Sequence, residues 1–153
     1  MICRRPYRTG SFKENPSSTF AGLPMIELSE AAAIAIHAMV FLSRNGTTPQ
    51  PLKQIAAVTD VSDNHLSKVL QKLVKAGFIE SVKGPKGGYV IREEMRSATL
   101  MSIYEAIDGE WKPRHCLFSG PRRTPCCCAM RPMLDSINKT FYDYMTGHTI
   151  DRV

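Results

Sequence analysis

The chain has 153 residues and a formal net charge of +6, long enough for one domain with a real core and an arm. That balance points to an anionic partner, and no apolar run approaches the ~18–20 residues a membrane span needs. Five cysteines, three of them consecutive, argue against a secreted disulfide scaffold and for a metal or redox site in a reducing cytoplasm.

Residues 1–24 are rich in Pro, Ser, Gly and Arg and have no period, the composition of a disordered basic arm. Such an arm could touch DNA phosphate. The alternative reading is a mis-assigned start, because Met25 opens the ordered pattern directly. The Arg4-Arg5 pair is followed by no apolar core, so it makes a weak export signal. Residues 25–98 read as a winged helix-turn-helix domain. Its opening helix, Met25 to Arg44 with a cap at Ser29, carries Ala31, Ala32, Ala35, Ile36, Met39 and Leu42 around much of its circumference. A helix that apolar is buried on more than one side, and a partner subunit is one way to bury it. His37 reads as a core-boundary residue, and Asn45 to Gln50 as a loop.

Leu52, Ile55 and Ala56 share one face of a second helix. Ser62 then caps a third, in which Leu66, Val69, Leu70 and Leu73 recur at helical steps as a buried stripe. The opposite face carries Asn64, Ser67, Lys68, Gln71, Lys72 and Lys75. Gly77 supplies a left-handed stop. Phe78 to Val82 and Tyr89 to Ile91 are strand-forming runs around a turn with Gly84, Pro85, Gly87 and Gly88, and Lys83 and Lys86 sit at its tip. From Ser62 to Arg92 there are six Lys/Arg against two acids. A solvated surface face would look similar helix by helix. The order helix, turn, helix, basic wing raises the nucleic-acid reading above it. The candidate DNA-binding residues are Ser62, Asn64, His65, Ser67, Lys68, Gln71, Lys72, Lys83, Lys86 and Tyr89.

Residues 99–153 read as a cysteine-bearing region and a dimerisation helix. Thr99 caps a short helix with Leu100, Ile103, Tyr104 and Ile107 inside, stopped at Gly109. Trp111 to Pro132 reads as a loop holding Cys116, Cys126, Cys127 and Cys128, with five Lys/Arg and no acid between Lys112 and Arg131. Cations favour thiolate, the form that binds metal or meets oxidants. Four thiolates could hold an iron–sulfur cluster or a zinc ion, although no paired CxxC supports zinc. Free thiols remain the plain alternative. Pro132 opens the last helix, whose seam is Leu134, Ile137, Phe141 and Tyr144 or Met145. That seam suits pairing across a two-fold axis, the alternative being packing on its own subunit. Residues 148–153 read as a short tail. No GxSxG, HExxH or Walker loop is present, so the chain carries no enzyme signature.

From Met25 onward the chain resembles the Rrf-two (Rrf2) family of winged helix-turn-helix transcription regulators. The carriers are MIELSEAAAIAIHAMVFLS, LKQIA, VSDNHLSKVLQKLVKAGFIESVKGPKGGY, ATLMSIYEAIDG and a Cys-bearing loop before the last helix. The resemblance implies a mainly α fold with a small β-hairpin wing and a long C-terminal dimerisation helix. It further implies a homodimeric repressor on double-stranded DNA, often with an iron–sulfur cluster between the reader domain and the partner's dimerisation helices. Base-edge contacts map to Asn64, Ser67 and Lys68, while Lys83 and Lys86 would reach phosphate or the minor groove. One branch of the family has Glu and Gln where this chain has Ser67 and Lys68, so its operator does not transfer. Cluster ligands map to Cys116, Cys126 and Cys128, for a two-iron or four-iron cluster. Nine residues separate the first two, wider than the family's usual spacing. The family's fourth ligand is absent: Ala33 stands where an acid is used, and no His follows Cys128. Cys127 or His115 could stand in. Two other readings keep the fold: a cluster-free regulator responding to thiol oxidation or a partner, and a winged-helix protein-interaction scaffold.

Overall fold

A computed structural model describes residues 28–116 and 130–153. The arm at 1–24 and the cysteines at 126, 127 and 128 lie outside the described residues.

Each of the three predicted serine and threonine caps is in place. The first helix, α1 (Glu30–Arg44), starts where the Ser29 hydroxyl accepts the Ala32 N–H at 3.0 Å. Helix α1 therefore begins at Glu30, and Met25 lies outside the described residues. Helix α2 (Leu52–Thr59) ends at Asp60, which holds the left-handed conformation at φ 54°. Asp is one of the few side chains that tolerates it, and this turn aims α3 (Asp63–Lys75) away from α2. Ser62 caps α3 by accepting the His65 N–H. Leu66, Val69, Leu70 and Leu73 form its buried stripe. The helix closes through paired bonds, Gly77 N–H to Val74 O and Phe78 N–H to Leu73 O. That is the two-bond Schellman stop, and it needs the positive φ that Gly77 supplies at 81°. It also explains why β1 (Ile79–Val82) starts one residue later than expected: Phe78 spends its N–H on the stop.

β1 pairs antiparallel with β2 (Gly88–Ile91), in the register Ile79 with Ile91 and Val82 with Gly88. Gly87 N–H closes the tip onto Gly84 O at 2.9 Å, with Pro85 preset at the second turn position. A short 3-10 turn, Glu93–Met95, leads to α4 (Leu100–Asp108), capped by Thr99 through the Ser102 N–H and stopped at Gly109. The last helix, α5 (Arg131–Gly147), takes Pro132 into its first turn, where the missing N–H costs nothing.

Packing answers two questions that periodicity left open. The broad apolar surface of α1 (Ala32, Ile34, Ala35, Ala38, Met39 and Leu42 buried) is covered within the chain, by α2, α3, the hairpin and above all α4. No partner subunit is needed for it. His37 is exposed rather than at a core boundary. The C-terminal residues are not a loose tail. Leu100 N–H donates to His148 O, and Ile150 N–H donates to Ala98 O. Ile150 itself is 1 % exposed, inside the main core. The end of α5 is thus anchored to the start of α4.

Candidate nucleic-acid interface

Helix α3 turns 100° per residue, so the stripe that buries Leu66, Val69, Leu70 and Leu73 leaves Asn64, Lys68, Gln71 and Lys75 on the opposite side. All four are exposed. Ser67 and His65 flank them, half-buried, and Ser62 is exposed with its hydroxyl occupied as the cap. No acid pairs with Lys68 or Lys75 among the described residues. Amide, hydroxyl and ammonium groups on one rod can donate to base edges and phosphates without first breaking an internal bond.

The wing stands beside this rod. Lys83 and Lys86 are exposed at its tip. Arg92 at its base is not free, since its Nε lies 3.2 Å from Glu80 across the hairpin. The wing is fixed by a contact that the sequence did not announce. Gln50, 7 % exposed, exchanges both backbone bonds with Tyr89: N–H to Tyr89 O at 2.8 Å and O to Tyr89 N–H at 2.9 Å. The predicted loop therefore ends in a strand-like bridge. Tyr89 is half-buried against the core. It serves as a wing anchor, and its ring is not presented at the tip. The signal that could have found the bridge is the glycine beside it: a Cβ on Gly88 would run into the Gln50 carbonyl and the Pro51 nitrogen. Gly88→Ala should therefore destabilise the fold by about 1–3 kcal/mol and lower the thermal midpoint by roughly 3–10 °C. Melting followed by circular dichroism checks this, with Ser81→Ala at an exposed strand position as the unaffected comparison.

Lys72 is placed differently from Lys68. Its Nζ donates to the Ile107 carbonyl of α4 at 3.3 Å, so it leans off the outward row.

The segment after α4 runs back along α5. Trp111 lies 5.9 Å from the Phe141 ring and 5.4 Å from Tyr142, and Tyr104 meets Phe141 edge-on at 6.2 Å. Further along, Asn138 Nδ2 donates to Arg114 O at 2.9 Å, and His115 Nδ1 lies 2.7 Å from Asp135 Oδ1. The His115 contact, helped by Arg131, holds the Asp135 carboxyl below the usual carboxylate range. Cys116 follows, half-buried. A His whose Nδ1 is held by a carboxylate presents Nε2 outward, the arrangement that orients imidazole for a metal. No group of three metal-ligating side chains comes together among the described residues.

The predicted seam of α5 divides in two. Phe141 and Met145 face the chain's own core, Phe141 against Tyr104 of α4, and Leu134 is buried on the same side of the helix. Ile137 and Tyr144 do not. With Met133, Ser136 and Thr140 they lie on another side of the helix, where a groove of about 350 Å³ is lined by Ser136, Ile137, Thr140, Phe141 and Tyr144. Tyr144 is 52 % exposed and Met133 38 %.

Residues 28–153 match the family model described as "Rrf2: Iron-dependent Transcriptional regulator". The chain is 24 % identical over 126 residues to the HTH-type transcriptional regulator IscR of Vibrio parahaemolyticus, covering 82 % of this chain and 75 % of that one. Its fold is similar to CymR, the global cysteine regulator of B. subtilis, with TM-score 0.67 and 20 % identity over 83 % of this chain and 95 % of the other. It is also similar to the oxidised form of Staphylococcus aureus CymR, with TM-score 0.65 and 23 % identity over 83 % and 94 % of the two chains. No helix among the described residues is long and apolar enough to cross a membrane.

Proposed function

Because this chain belongs to the Rrf2 family of transcriptional regulators, DNA-binding proteins rather than enzymes, we propose that it is a homodimeric repressor whose grip on DNA is set by its cysteine segment. The observation that carries this is the solvent-facing row Asn64, Lys68 and Gln71, opposite the buried stripe and beside a wing tipped by Lys83 and Lys86. In this reading Asn64, Ser67 and Lys68 meet base edges in the major groove, Gln71 and the wing lysines hold the backbone, and Ser62 and His65 fix the start of the rod. The open side of α5 pairs two copies, which sets the spacing of the half-sites.

The donor chemistry of the cysteine segment suits an iron–sulfur cluster. Cys116, Cys126 and Cys128 would supply thiolates, and His115, steadied by Asp135, or Cys127 would complete the set. When bound, such a group gives the protein a redox- and iron-dependent state. The chain's own part is to tie that state to α5 through Arg114–Asn138 and His115–Asp135, so that gain or loss of the group shifts the dimer helices relative to the readers. A coupling of about 1–3 kcal/mol is sufficient to change occupancy. Iron and acid-labile sulfide analysis of anaerobically purified protein tests this. The expected result is a brown protein carrying both. A colourless, iron-free protein removes the cluster and favours the second reading, thiol oxidation in a cation-rich segment, which the likeness to an oxidised CymR supports.

A further inference from the structure

Ile107 is the penultimate residue of α4. Carbonyls there have no partner in their own helix, and the helix dipole adds partial negative charge. The Lys72 ammonium of α3 supplies the missing partner at 3.3 Å. The same turn of α4 holds two other parts of the chain. Asp108 accepts the Ser29 hydroxyl at 2.6 Å, and Glu105 accepts the Trp111 N–H at 3.2 Å. Trp111 then packs on Phe141 and Tyr142 of α5. One end of α4 therefore gathers the reader helix, the start of α1 and the segment leading to Cys116.

We propose that Lys72 is a positioning residue, which sets the angle at which α3 is presented from α4 and does not contact phosphate. All three lysines of α3 are exposed, but Lys68 and Lys75 lie on the outward row, whereas Lys72 lies on the flank from which its ammonium reaches α4. To reach a phosphate, Lys72 would have to abandon the Ile107 carbonyl and leave it without this donor. The bond also makes the α3–α4 angle responsive to whatever moves Trp111. This inference rests on the DNA-binding reading above.

The test compares wild type, Lys72→Met and Lys72→Arg on a labelled duplex from the DNA upstream of this chain's own gene, titrated over a range of salt. Met keeps the stem and removes the donor, whereas Arg restores a donor. Loss of this charge-assisted bond in both subunits should weaken Lys72→Met binding roughly tenfold at every salt concentration, with the log–log salt slope of wild type. Lys72→Arg should recover most of the loss. A phosphate contact would instead lower the slope by about 0.9 per lysine removed, or about 1.8 for a dimer, and that result overturns the proposal. Unchanged affinity in Lys72→Met, or a loss that Lys72→Arg leaves in place, also overturns it. A wild type that binds no duplex removes the DNA-binding reading and this inference together.

Discussion

Replacing Asn64 with Ala should reduce affinity for the specific site while leaving binding to unrelated duplex nearly unchanged. Asn64 is exposed in the first turn of α3, the part of a reader helix that enters the groove most deeply. A well-made base contact is worth about 1–3 kcal/mol of discrimination. A dimer uses it twice, so the loss should lie between roughly 30-fold and 10⁴-fold. Little of it should come from misfolding, because the caps and the Leu66 to Leu73 stripe are untouched. Lys83→Ala, at the exposed wing tip, gives a different signature. Its loss should extend to nonspecific duplex, since removing a cation near the backbone weakens all sequences and flattens the salt dependence by about 0.9 per site. Fluorescence anisotropy with specific and scrambled duplexes at several salt concentrations separates the two. If Asn64→Ala weakens both duplexes equally, this residue does not read bases, and the outward face is only an electrostatic footing.

Features decided within a few residues were readable from the chain alone. Ser29, Ser62 and Thr99 cap helices because a hydroxyl reaches an N–H three residues ahead. Leu66, Val69, Leu70 and Leu73 are buried because their spacing matches the helix turn. Gly77 stops α3 because a Schellman closure needs its conformation. Contacts between distant segments left no such trace. The bridge from Gln50 to Tyr89, and Ile150 entering the core beside Ala98, join stretches whose pairing has no periodicity. Lys68 and Lys72 look alike on a helical projection, and only the position of α4 tells them apart. The same holds for α5: a single apolar seam in the sequence becomes two faces once Trp111 and Tyr104 take up Phe141. Of the cysteine segment, the described residues include Cys116 and His115 but not the consecutive cysteines.

That division of α5 leads to the second large effect. Ile137→Asp combined with Tyr144→Asp should convert a dimer to a monomer. Both side chains line the groove, while Leu134 and Met145, which hold α5 to its own chain, are buried on another face. The monomer should therefore keep its fold, with a thermal midpoint near that of wild type. Its DNA binding should fall much further than its stability. Linking two half-site contacts typically raises affinity about 10²–10⁴-fold, and a monomer forfeits that gain even though its reader helix is intact. Sedimentation velocity reads the assembly, and binding to one-half-site and two-half-site duplexes reads the consequence. Wild type should strongly prefer the two-half-site duplex; the double variant should bind both alike. A variant that still sediments as a dimer would place the two-fold contact elsewhere on the molecule. In that case the exposed Met133, Thr140 and Tyr144 side of α5 is not what couples the reader heads, and any movement of the cysteine segment against Asp135 and Asn138 would need another route to the DNA.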